Sequence, residues 1–280
     1  MKRIHSSMVA LLFLSVLTPS ITHAWAQTLG RHGGISWPGN CYQYSIHAEG
    51  SRDLDWPILV DTVRASFASW ENVSCSSFSF EETAPATVDR AEFNVDKGNV
   101  NLLVWRESTW DEVVDGKLVR RDPAIIALTS VMYDKNTDQI LDVDIEFNGV
   151  YHSFGVLDGA IGDGNKMDLQ SVLTHELGHT LGIDHSSVPG AVMEPYGGPG
   201  ETHMRTLSQD DMDAICAIYP FEESDDVCET PYCGLDLSGT STECVGAAQN
   251  QNNGDSRGCA LVPRRIPLCA MAVLMALWGN

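Results

Sequence analysis

Three histidines and a glutamate stand in one eleven-residue run of this 280-residue chain, His175-Glu176-Leu177-Gly178-His179-Thr180-Leu181-Gly182-Ile183-Asp184-His185. Residues four apart share a helix face, with Cβ atoms about 5–6 Å apart, so His175 and His179 can aim two imidazoles at one zinc ion. Glu176 stands one step round the helix from His175, where it can reach a water held at the metal without being a ligand; that is the place of a general base. A straight helix would carry His185 about 15 Å along the axis from His175, at about 1.5 Å per residue, too far to share the ion. The chain must therefore turn back after His179, and Gly182 can take the left-handed conformation that ends a helix without a Cβ clash. With 9 His and 24 Gly among the 280 residues, a chance match to this spacing is expected on the order of 10⁻⁴ times per chain or less.

The pattern H-E-x-x-H-x-x-G-x-x-H is that of the metzincins, and the eleven residues after it narrow the resemblance. Ser186-Ser187-Val188-Pro189-Gly190-Ala191-Val192-Met193-Glu194-Pro195-Tyr196 is similar to the segment after the zinc helix in matrixins, the matrix-metalloproteinase-like branch. Similarity also covers Ile35-Ser36-Trp37-Pro38, Trp70-Glu71-Asn72-Val73-Ser74-Cys75 and Ala217-Ile218-Tyr219-Pro220. The resemblance implies an α+β, zincin-like catalytic domain with a twisted five-stranded mixed sheet and three helices. It implies one catalytic Zn2+ on His175, His179 and His185, Glu176 as the catalytic base, and Met193 as the Met-turn residue beneath the ligands. It further makes Ile125 to Tyr133 the edge strand over the cleft, where the backbone of Ala127, Leu128 and Thr129 would bind an extended peptide by strand addition. Tyr196 lies three residues after Met193, whereas the metal-binding tyrosine of astacins and serralysins lies two after, so that role is not carried over.

Two departures from the family stand out. Vertebrate-type matrixins hold a second, structural zinc through histidines and an aspartate, yet this chain has no histidine between His47 and His152; that zinc is expected to be missing. Asp142, Asp144, Glu146, Asp158 and Asp163 could offer oxygen ligands to Ca2+, with solvated loop and strand carboxylates the simpler expectation. His152 and His203 read as surface or core histidines. Only Gln27 to Cys41 separates the leader from the first strand, and no cysteine-switch motif occurs, so latency through an inhibitory prodomain is not expected.

The elements that must position the site are set by periodicity. Leu59, Val60, Val63, Phe67 and Trp70 recur at helical spacing after Pro57. Tyr42 to Ile46, Ser77 to Phe80, Val100 to Trp105, Ile125 to Tyr133 and Ile140 to Phe147 read as strands, with turn residues at Asp134 to Asp138. Asp168 caps the zinc helix, whose buried face is Leu169, Val172, Leu173, Leu177 and Leu181. Ser208 with Asp211 opens a last helix, Gln209 to Tyr219, stopped by Pro220.

Lys2 and Arg3, the apolar run Met8 to Leu17 and Ala24-Trp25-Ala26 make residues 1–26 a secretory signal peptide. Residues 27–221 form the catalytic domain, 222–259 a Cys-rich polar spacer, and 260–280 a short apolar tail, read as a sorting or anchor signal because it holds Pro267 and falls short of a span. Roughly the last 20 residues are expected to be lost or processed. Loss of Lys2 and Arg3 takes the formal net charge from −21 to −23; such acidity argues against nucleic acid and anionic membranes as partners. Eight cysteines in an exported chain favour disulfides over a cysteine-ligated zinc, with Cys41 to Cys75 the pairing expected first. Localisation is expected to be secreted and extracellular, with surface attachment through the tail the second choice, and the protein a monomer. The expected function is zinc-dependent hydrolysis of peptide bonds in extended protein substrates. The rival is a catalytically silent zinc-containing adhesion or binding module, against which Glu176 counts, since pure binding has no use for that carboxylate.

Overall fold

The computed structural model describes residues 24–221, apart from 90, 92, 94–98, 115 and 159–163, together with 273–279. The chain enters through a short strand, β1 (Ala26–Gln27), so the last residues of the expected leader overlap the folded part. Strand β2 (Cys41–Ile46) leads to helix α1 (Trp56–Glu71), whose first turn holds Pro57, where the missing N–H has no partner to lose. All five residues of its expected apolar face are buried. Strands β3 (Ser79–Glu82) and β4 (Leu102–Arg106) come next, then a small hairpin, β5 (Glu112–Val114) and β6 (Lys117–Val119), that periodicity did not announce because its side chains are largely exposed. After it come β7 (Ile125–Tyr133), β8 (Ile140–Asn148), β9 (Phe154–Gly155), β10 (Met167–Asp168), helix α2 (Leu169–Thr180), β11 (Ile183–Asp184), β12 (Tyr196–Gly197), helix α3 (Gln209–Ile218) and β13 (Val273–Gly279).

Strands β7, β8, β4, β2 and β3 lie side by side in that order as the expected five-stranded mixed sheet. The β4–β8, β2–β4 and β2–β3 pairs are parallel, and β7 runs antiparallel to β8. Helices α1 and α2 pack together: the indole N–H of Trp70 donates to the Thr174 carbonyl at 2.8 Å. On the sheet side, Phe67 stacks on Tyr44 with ring centroids 3.9 Å apart. Beyond β7 the sheet continues into β13 and β12. The spacer at 222–259 lies outside the described residues.

Two expectations are overturned. Cys75 is bonded to Cys216, not to Cys41, with Cα atoms 5.4 Å apart; Cys41 is disulfide-bonded elsewhere. The end of α3 folds back beside the loop after α1, where Ser76 bridges Pro220 and the Phe221 N–H reaches the Cys75 carbonyl, so the cysteine nearest in space is 141 positions away in sequence. Asp142, Asp144 and Glu146 are likewise buried rather than solvated. They form the polar face of β8, alternating with the core residues Val143, Ile145 and Phe147. Asp142 accepts from the Asn99 amide at 2.6 Å and Asp144 from the Leu102 N–H at 2.9 Å, while Glu146 is paired with Arg106 and Arg121 at 2.5 and 2.9 Å. Burial pushes the Asp142 carboxyl up to about 6, and burial beside Asp142 pushes Asp144 up as well. Asp158 is exposed, and Asp163 lies outside the described residues. His152 bonds the Pro123 carbonyl, and His203 is exposed.

Candidate metal centre

Helix α2 is buried along its whole length except at Gln170, and its other polar side chains are enclosed along with its leucines. Asp168 starts it by accepting the Ser171 N–H at 2.9 Å and is held in turn by Arg205, so its carboxyl lies below its usual range. At the other end the indole of Trp37 donates to the Thr180 carbonyl at 2.8 Å and the Tyr219 hydroxyl to the Leu181 carbonyl at 3.0 Å. These side chains occupy carbonyls that the helix leaves without partners. Gly182 then takes φ +82°, and a Cβ there would stand 2.4 Å from the Ile35 carbonyl oxygen. Both the left-handed turn and the close approach of the backbone require glycine. The chain reverses into β11, which pairs antiparallel with β1, and delivers His185 back to the helix.

His175, His179 and His185 offer ligand atoms that all lie within 4.8 Å of one another. The His175 Nδ1 lies 2.6 Å from the Val192 carbonyl oxygen and the His179 Nδ1 lies 2.9 Å from that of Ile183. A carbonyl only accepts, so both Nδ1 atoms carry the proton and each Nε2 presents a lone pair. The Nε2 atoms of all three histidines are buried and have no hydrogen-bond partner in the protein. Buried polar atoms are rarely left so, and three at one point fit a tetrahedral ion that keeps a fourth position open. Burial holds the His175 imidazole down to about 3 and lowers His179 and His185 too, with Asp184 opposing the shift at His185. All three are thus neutral, the form that binds metal.

Glu176 is fully buried beside them, and the Thr129 hydroxyl on β7 donates to its Oε2. Sequence reasoning assigned only backbone to Thr129; its side chain turns inward onto the carboxylate, and no spacing signal links residues 47 apart. Ala127 and Leu128 lie beside it on β7, the first and last of the three fully buried. Met193 is buried under the helix: a Cβ on Gly178 would lie 2.1 Å from its sulfur, so that glycine makes room for it in the turn between His175 and His179. Tyr196 is more than half exposed.

The loop carrying Met193 depends on Asp211, which sequence reasoning placed only at a helix cap. Its buried carboxylate accepts the N–H groups of Val192 and Met193 at 2.9 and 3.1 Å, besides the Ser208 N–H and hydroxyl at 2.8 and 2.7 Å in a capping box. Asp211→Ala leaves these donors in the interior without an acceptor, an expected loss of about 3 kcal/mol or more. Urea denaturation should show a lower midpoint at unchanged slope, with Asp211→Asn intermediate because it retains one acceptor oxygen.

Residues 36–220 match the matrixin family model, about two-thirds of the chain. The chain is a matrixin. Matrixins are zinc metalloendopeptidases, and this chain gathers His175, His179 and His185 into one cluster that could hold a metal ion. Among its relatives, matrix metalloproteinase-25 of Homo sapiens is 48% identical over 59 residues, 20% of this matrixin and 10% of that protein. Matrilysin of Homo sapiens is 46% identical over 59 residues, 20% and 22% of the two chains, and neutrophil collagenase of Homo sapiens 54% over 48 residues, 17% and 10%. The matched stretches thus span under a quarter of the length of these relatives. No helix among the described residues is long and apolar enough to cross a membrane.

Proposed function

We propose that this matrixin is a secreted endopeptidase that hydrolyses peptide bonds in extended protein substrates, with His175, His179 and His185 as zinc ligands and Glu176 as general base. The observation that carries the reading is the convergence of three partnerless, buried Nε2 atoms next to a buried carboxylate that the β7 residue Thr129 contacts. Zinc, when bound, lowers the pKa of water to about 7 and draws charge from the scissile carbonyl. Glu176 takes a proton from the attacking water and hands it to the leaving amine, while Thr129 holds Oε2 in one orientation. The Val192 and Ile183 carbonyls keep the protons of His175 and His179 on Nδ1, so both rings stay aimed. The outer edge of β7, at Ala127 to Thr129, binds the substrate main chain as an added strand and aligns its carbonyl above the helix.

The test is cleavage of casein by the purified protein, stopped by a chelator and restored by zinc, with one zinc per chain by elemental analysis after dialysis. Two zincs would contradict the single ligand set. A protein that holds one zinc yet cleaves nothing in a broad peptide library would instead be the binding module.

A further inference from the structure

Strand β7 is paired with β8 along one side only, and along its other side lies the chain's own tail. β13 runs antiparallel to β7, with Val273 opposite Val131, Leu274 opposite Ser130, Met275 opposite Thr129, Ala276 opposite Leu128 and Leu277 opposite Ala127. Its far end runs parallel to β12, with Trp278 opposite Tyr196 and Gly279 opposite Gly197. The tail strand also comes within 8 Å, Cα to Cα, of α2. Thus an extended segment of this chain lies between β7 and β12, with the backbone of Met275 in register with the threonine whose hydroxyl reaches Glu176.

An outer strand edge presents a row of N–H and C=O groups that can each be satisfied by only one added strand. The seven residues Val-Leu-Met-Ala-Leu-Trp-Gly at 273–279 have no charge and no proline, so every one of them keeps a backbone N–H that a strand ladder can use. Roughly 50 residues separate them from Phe221, a contour of about 170 Å, so the tail can reach the groove of its own molecule.

Resting on the endopeptidase reading above, we infer that residues 273–279 dock in this chain's own substrate groove as an added strand on β7 and compete with substrate for it. Occupancy of this kind leaves the chemistry intact and lowers only the fraction of molecules able to bind. Apparent KM therefore rises by the inverse of the open fraction while kcat is unchanged.

The test compares the zinc-loaded full chain with the double variant Met275→Pro/Ala276→Pro. N–H groups of successive strand residues point to opposite sides, so one of the two prolines must remove a donor facing β7. Deletion of 273–280 serves as a second variant and should behave alike. Two readouts are taken: amide hydrogen exchange over 125–131, and kcat and KM on one fluorogenic peptide. In both variants the β7 amides that face the tail should exchange at least about 10-fold faster, and KM should fall about 10-fold or more at constant kcat. The KM difference should not change with enzyme concentration; one that grows with concentration would mean tails exchanged between molecules and overturn self-docking. Unchanged exchange overturns the docking, and faster exchange with unchanged KM in an active enzyme overturns the competition. If no form cleaves any peptide, faster exchange still supports the docking, and it is the endopeptidase reading that fails.

Discussion

Glu176→Gln is expected to lower kcat by about 10² to 10⁴ while the protein keeps one zinc and an unchanged fold, because loss of a general base removes a factor of that size. The two side chains are nearly isosteric, and the Thr129 hydroxyl can still donate to the remaining amide oxygen, so the buried site stays satisfied. None of the three imidazoles is touched. KM should move little, since Glu176 acts on the proton in the transition state and not on the bound substrate's main chain. The measurement is kcat and KM on a peptide cleaved by the wild type, with zinc content determined on the same sample. An amide variant that kept full activity would remove Glu176 from the chemistry. One that lost zinc would show that the substitution had disturbed the ligands and would leave its rate unreadable.

His179→Ala should instead remove the metal. With two ligands left of three, the site no longer closes around a tetrahedral ion, and zinc is expected to leave on dialysis. Because a metal bound only by the native state stabilises it by mass action, about 4 kcal/mol when free metal exceeds Kd a thousandfold, chelator should lower the wild-type unfolding midpoint. It should do the same to Glu176→Gln and leave His179→Ala where it is. That difference in chelator response needs no substrate and separates ligand loss from base loss. The variant also leaves the Ile183 carbonyl without its donor and opens a cavity at a fully buried position of α2. Its midpoint should therefore lie below even the chelated wild type, through the cavity and the unsatisfied acceptor.

Residue order determined by itself mostly those features of this protein that depend on neighbours along the chain. The faces of α1 and α2, the caps at Asp168 and Ser208 and the strands β2, β7 and β8 are set by side-chain periodicity and local hydrogen bonding, which act over a few residues. The ligand set was legible for the same reason: three histidines, the glutamate and the glycine that reverses the chain all fall within eleven residues. Tertiary structure alone decided the rest. Which carbonyl fixes each imidazole, that Thr129 reaches Glu176, that Asp211 holds the Met193 loop and that Cys75 meets Cys216 are matters of which distant segments touch. The same holds for the carboxylates of Asp142, Asp144 and Glu146, which look solvated as residue types but are enclosed with their partners once β8 lies between β7 and β4. It holds too for residues 273–279, whose pairing with β7 no neighbour along the chain announces, because a strand's partner is decided by which strand edges meet in space.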